Sequence, residues 1–208
     1  MQVRIPNLDF SNIRAHWTKV PEFAQSYNSF SIVPAHVEPF LVKVMTRVKK
    51  ALGDDHPELV KDIEIFKKQE MQHCKQHLAF NRRIYELGYP QMAEIEKPYK
   101  ADYDRFFATK SLRFCLAYCE GFEAMGAAAA YVYFEHLGDY LEGADEEAMN
   151  LWKWHLAEEF EHRSVCAEAY RILYGSGPFA YLYRVWGFLY AVKPVSYTHL
   201  TLPTRIFV

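Results

Sequence analysis

Two stretches of the chain repeat one chemical signature. FKKQEMQHCKQHLAF, Phe66 to Phe80, carries Glu70 and His73, and LWKWHLAEEFEHRSV, Leu151 to Val165, carries Glu159 and His162. On a helix, residues three apart share a face, so each Glu-x-x-His points one carboxylate and one imidazole the same way. One such pair is common on any helix. Two pairs, each set among apolar residues in register, suggest that carboxylates and imidazoles meet inside the protein. Carboxylates buried together without a cation would repel one another and lose their hydration. Metal binding relieves both penalties. A water-filled polar bundle or a salt-bridge network would be the non-metal alternative, but these seams carry no Lys or Arg at this height.

The elements that must position these groups are helices. A segment from about Ala35 to Leu52 has an apolar stripe of Leu41, Val42, Met45, Val48 and Leu52, with Glu38 on the same face. After the turn GDDHPEL, a second helix to about Leu87 presents Ile63, Phe66, Glu70, His73, His77, Phe80, Ile84 and Leu87 at alternating three- and four-residue steps, the spacing of a bundle seam. GYPQMAEIEKPYKADYD reads as a crossing connection because of its prolines and glycine. A third helix, about Asp104 to Leu137, has a seam of Leu112, Leu116, Glu120, Glu123, Ala127, Ala130, Phe134 and Leu137, and the small residues of AMGAAAA would admit a close neighbour. The fourth runs from about Glu146 to Tyr174, before Gly175, Gly177 and Pro178. No segment shows strand alternation. The expected fold class is all-α, a four-helix bundle.

Counting heights along these helices brings the polar residues to one layer. At about 1.5 Å per residue, Glu38 lies as far before Leu52 as Glu70 lies beyond His56. Glu70 likewise precedes Leu87 by the distance that separates Tyr103 from Glu120. The predicted ligand set is therefore Glu38, Glu70, His73, Glu120, Glu159 and His162. This is one Glu from each of two helices and a Glu-x-x-His from each of the other two, a pattern that binds two metals. Four carboxylates offset the charge of two divalent ions and can bridge them. Iron is the first expectation, with manganese or zinc as alternatives. Expected supporting residues are His77 and His155, one turn from the signatures, together with Glu123 beside Glu120 and Glu158 beside Glu159. Tyr118, Tyr131 and Tyr170 read as core or interface. Cys119 and Cys166 read as packing, since no His and acid are arranged to activate a nucleophile.

These stretches, VPAHVEPFLVKVM, FKKQEMQHCKQHLAFN, YCEGFEAM and WKWHLAEEFEHRSVCAEAY, resemble the ferritin-like family of predicted metal-dependent hydrolases over roughly Phe30 to Ala191. The resemblance implies a ferritin-like bundle and the same six ligands, and Val37 stands where the family commonly has glycine. It implies hydrolysis of an undefined small-molecule substrate. The ligand chemistry offers a di-iron oxidase or oxygenase as an alternative, and metal binding or storage without catalysis as a second.

Composition bounds the rest. The 208 residues, half of them apolar, suffice for one domain with a substantial core. A formal charge of -2 and the lack of a basic tract argue against nucleic acid as a partner. The four cysteines form no CxxC pair, and the start MQVRIPNLDF shows no secretory pattern, so a reduced, cytoplasmic setting is expected. The chain divides into an N-terminal arm (1–33), the bundle (34–177), the start of an apolar helix (178–195) and a tail, 196–208, that resembles adaptor-derived translation. Residues 179–192 are too few to span a bilayer, leaving membrane contact through a longer C-terminal part, and a homo-oligomer, as open expectations.

Overall fold

The computed structural model describes the backbone of residues 1–206 and the side chains of residues 1–192; the expectation about the tail at 196–208 falls outside the described side chains. The described chain is all-helical, with no strand. Helices α1 (Pro21–Phe30), α2 (Ile32–Leu52), α3 (Pro57–Glu86) and α4 (Met92–Thr109) are followed by α5 (Leu112–His136) and the single turn α6 (Gly138–Leu141). Then come α7 (Glu146–His162), α8 (Val165–Tyr174) and α9 (Pro178–Ile206). Helix α2 packs on α3, α4 and α5, and α5 packs on α7, α8 and α9.

The seam expected on α3 is the buried face: Ile63, Phe66, Glu70, His73, His77, Phe80 and Ile84 are all inaccessible to solvent. Helix α2 contains Pro39, next to Glu38. Proline has no N–H to give the carbonyl four residues back, and that carbonyl, on Ala35, accepts the Cys74 Sγ–H at 3.4 Å instead. That contact ties α2 to α3 beside the signature.

Three elements differ from the sequence reading. The connection after α3 is itself a helix, α4, which includes Pro98. It buries Met92, Tyr99, Tyr103 and Phe106 at helical spacing, a stripe that the flanking prolines and glycine obscure. Helix α5 consequently starts later, where the Ser111 hydroxyl accepts the Phe114 N–H at 3.2 Å as an N-cap. The fourth segment is broken after His162 into α7 and α8; no glycine or proline marks the break, so its periodicity runs straight through.

The seam of α5 is also rotated. Tyr133 is buried while Phe134 is half exposed, and Tyr131 stands in solvent rather than in the core. The cause is α9, which lies along α5. A Cβ on Gly187 would come within 2.6 Å of the Ala117 carbonyl, and one on Gly121 within 2.5 Å of the Phe188 Cα. Such close backbone approach needs small residues and sets the roll of α5 about its axis. Residues 1–20 form no helix but run over the body, burying Phe10, Ile13 and Trp17. Among the described residues no helix is long and apolar enough to cross a membrane.

Candidate metal centre

Helices α2, α3, α5 and α7 each deliver carboxylates or imidazoles to one buried layer. Glu38 comes from α2, Glu70, His73 and His77 from α3, Glu123 from α5, and His155, Glu158, Glu159 and His162 from α7; all are buried. Ligand atoms of Glu38, His73, His155 and Glu159 lie within 4.8 Å of one another, and those of Glu70, Glu159 and His162 form a second group of the same compactness. Glu159 belongs to both.

The distances place Glu70 and Glu159 between the imidazoles. Glu70 Oε1 is 3.8 Å from His73 Nδ1 and 3.2 Å from His162 Nε2. Glu159 Oε1 is 3.7 Å from His73 Nδ1, 3.1 Å from His155 Nε2 and 3.6 Å from His162 Nε2. Glu38 lies at one end, its Oε1 3.6 Å from His155 Nε2, and Glu123 at the other, its Oε2 3.0 Å from His162 Nε2.

Apart from His155 Nε2 and Glu159 Oε1, which pair at 3.1 Å, the polar atoms facing the centre lack hydrogen-bond partners. Both oxygens of Glu38, Glu70 and Glu123, together with Glu159 Oε2, His73 Nδ1 and His162 Nε2, are buried and unsatisfied. Buried polar groups are ordinarily paired, because an unpaired one forfeits its hydration. The unsatisfied atoms converge on one volume and are the hard-oxygen and imidazole donors that divalent metals take. The donor set therefore fits metal.

Outward-facing ring nitrogens, by contrast, are all held. His73 Nε2 donates to Glu158 Oε2 at 3.1 Å, and Arg4 grips the other Glu158 oxygen at 3.1 Å. His162 Nδ1 donates to Gln69 Oε1 at 3.1 Å, and Gln69 Nε2 donates to Glu161 Oε2 at 2.8 Å. His155 Nδ1 lies 2.5 Å from His77 Nε2, and His77 Nδ1 lies 2.7 Å from Ser31 Oγ. Fixing the far nitrogen of an imidazole chooses its tautomer and aims the near lone pair inward. The rings are packed as well: His73 and His155 stack at 4.3 Å, and Trp154 sets its edge on His73 at 4.8 Å.

Electrostatics follow the crowding. Burial, reinforced by neighbouring carboxylates, pushes Glu38 and Glu70 well above the ordinary carboxyl range, and Glu123 to about 7. Glu159 goes the other way. Burial alone would raise it, but His162 and His155 outweigh that and hold it well below. Burial would likewise lower His162, yet Glu123 and Glu159 hold it up, whereas burial and its neighbouring imidazoles depress His73. Without a cation the layer thus favours protons on Glu38, Glu70 and Glu123, and a bound cation would displace them.

Against the sequence expectation, Glu38, Glu70, His73, Glu159 and His162 come together and Glu120 does not. Glu120 turns to α9, where both its oxygens accept from the Arg184 guanidinium, 2.7 and 2.8 Å from its Nε. Positions 120 and 123 differ by about 60° around a helix. The α5–α9 contact at Ala117, Gly121 and Gly187 rolls Glu123 inward and Glu120 outward. His155, expected as a support, instead points its Nε2 at Glu38 and Glu159, while His77 and Glu158 hydrogen-bond the outward nitrogens of His155 and His73. Arg4, Gln69 and Ser31 were not singled out from sequence. Gln69 adjoins a signature, but Arg4 carries no local signal at all.

Gly126, one turn beyond Glu123, completes the layer: the Glu159 carboxylate occupies the space that a Cβ there would need. The small-residue stretch AMGAAAA therefore admits a side chain of α7. All four cysteines are free and buried, and burial pushes Cys74 and Cys115 up to about 11 and Cys119 and Cys166 well above the ordinary thiol value, as packing thiols rather than nucleophiles.

A family model described as predicted metal-dependent hydrolase matches residues 2–208. The chain belongs to this family. No curated protein and no solved structure matches it. The buried Glu/His layer is where this member of the family could hold metal.

Proposed function

We propose that this protein is a metal-dependent hydrolase with a centre for two divalent metal ions, set in a ferritin-like four-helix bundle of α2, α3, α5 and α7. One observation carries the reading: inward-facing carboxylate oxygens and imidazole nitrogens of Glu38, Glu70, His73, Glu123, Glu159 and His162 are buried together without hydrogen-bond partners. In this reading Glu38, His73, His155 and Glu159 would hold one ion, and Glu70, Glu123, Glu159 and His162 would hold the other. Two ions supply Lewis acidity and lower the pKa of bound water when present. The chain's own residues do the rest. Glu158, Gln69 and His77 keep the three imidazoles in the ligating tautomer. The apolar walls contributed by Phe66, Trp152 and Leu156 keep bulk water from competing.

Purified protein loaded with Mn(II), Fe(II) or Zn(II) should retain about two ions per chain, and a stoichiometry near zero would sink the reading. Zn(II)-loaded protein should cleave members of an ester or phosphoester panel without oxygen. A second reading, a di-iron oxidase or oxygenase, is favoured by the four-carboxylate donor set. It expects instead that reduced, iron-loaded protein consumes oxygen and develops ferric absorption, and that zinc supports no turnover. Metal retained with neither activity would leave a binding or storage role.

A further inference from the structure

A cavity of about 200 Å³ ends on the candidate centre. Its walls are Tyr27 and Phe30 of α1, Pro34 of α2, Phe122 and Met125 of α5 and Leu156 of α7; its floor is Glu159, His155 and Gly126. Tyr27, Phe30, Met125 and Ala129 are half-buried, so the cavity reaches the surface between α1 and α5. Glu159 Oε2 is buried, has no hydrogen-bond partner and sits on this floor. Gly126 leaves the carboxylate uncovered on that side, because any Cβ would stand in its place.

We infer that this cavity is the substrate pocket, and that it takes a small molecule with an uncharged, one-ring or similarly sized apolar body and one oxygen-bearing head group, such as an ester, at the Glu159–His155 end. The inference rests on the proposed metal centre. Size sets the first limit: an engineered apolar cavity of roughly 150 Å³ holds benzene, so this one suits a ring with a short substituent. Wall chemistry sets the second. No Lys or Arg lines the cavity, so a charge carried on the body of a ligand would lose its hydration with nothing in return. Aromatic faces of Tyr27, Phe30 and Phe122 favour a flat apolar body. The polar groups lie at one end only, which fixes the orientation of what enters and brings its oxygen function to the ligand residues.

The test uses 4-fluorobenzyl alcohol as probe and ¹⁹F NMR as readout. Protein is loaded with Mn(II), and bound manganese is counted first. The probe should bind saturably, and its fluorine line should broaden through the nearby paramagnetic ion. Ala129→Phe, which fills the cavity from a residue outside the ligand set, should weaken binding at least tenfold while retaining manganese. Phe122→Ala should retain manganese and admit the larger fluoronaphthalenemethanol, which wild type excludes. Full manganese loading without saturable, broadened probe binding, or equal binding by wild type and both variants, overturns the pocket and leaves the centre standing. Failure of wild type to hold manganese overturns the centre and the pocket together, and the metal count tells the two failures apart.

Discussion

Gly126 and Glu159 are matched across the α5–α7 contact: the carboxylate of one fills the position that the other's missing Cβ would take. Gly126→Ala therefore has two effects of opposite sign. Alanine raises the helix propensity of α5 by up to about 1 kcal/mol, while the methyl group displaces a carboxylate shared by both ligand groups. The metal-free protein should keep its helical content and melt no more than a few degrees away from wild type. Metal affinity, measured by competition with a chelator, should fall at least tenfold. Unchanged affinity would show that Glu159 is free to ligate from another rotamer.

Replacing Glu120 and Glu123 separately tests which α5 carboxylate serves the centre. Glu123→Ala should lower the bound metal from about two ions per chain towards one. Glu120→Ala should leave metal content unchanged, because its carboxylate holds Arg184 and faces α9. Reversed outcomes would mean that α5 rolls on loading.

In the proposed centre His155 is a ligand and His77 its support. His155→Ala should reduce metal affinity as severely as His162→Ala, since each ring presents its Nε2 to shared Glu159. His77→Ala should cost about tenfold, in the range of lost outer partners of metal-bound imidazoles. If His155→Ala costs no more than His77→Ala, His155 lies outside the ligand set.

Arg4 acts at a distance through Glu158. Its guanidinium contacts Glu158 and Glu161, which anchor His73 and, through Gln69, His162. Arg4 is half exposed, so water screens this contact, and Arg4→Ala should lower metal affinity several-fold rather than abolish it. Arg4→Lys should restore part of the loss. A drop in melting temperature with no change in affinity would assign Arg4 a purely structural role.

Metal-free protein should lose stability as pH rises. Glu38, Glu70 and Glu123 have folded pKa values above the ordinary 4.5. Their stabilising contribution is complete below about 4.5 and is lost as pH climbs through the folded values, which for Glu123 means about 7. His73 and His77 are depressed and act oppositely, adding stability up to 6.5, their ordinary value. His162 is raised and loses its contribution above 6.5. The two effects partly cancel between about pH 4.5 and 6.5, and the net fall is steepest above 6.5. One net proton is worth about 1.4 kcal/mol per pH unit, or roughly 3–6 °C in melting temperature for a chain of this size. Glu159, held low, contributes above 4.5 and loses stability only on acidification. Bound metal should raise the melting temperature and remove the decline above pH 6.5. Melts of metal-free and loaded protein at pH 6 and 8 decide it: a metal-free protein more stable at pH 8 would show that the carboxylates ionise without penalty.

Local periodicity determined the helices and most of the donor layer. Glu70–His73 and Glu159–His162 are three residues apart on one chain segment, so their shared face follows from the pitch of a helix whatever packs around it. Glu38 could be read the same way, from an apolar stripe that buries one face. Tertiary contact decided the remainder. Glu120 and Glu123 lie within one apolar face, and only the approach of α9 at Ala117, Gly121 and Gly187 selects between them. His155 becomes an inward-pointing group because His77 of α3, itself held by Ser31 between α1 and α2, meets its far nitrogen. Arg4 reaches Glu158 across 154 residues, and α4 hides a helix behind proline and glycine. Spacing along a chain specifies direction around one helix; it does not specify how that helix rolls against its neighbours, and the roll is set by close-packed contacts between segments distant in sequence.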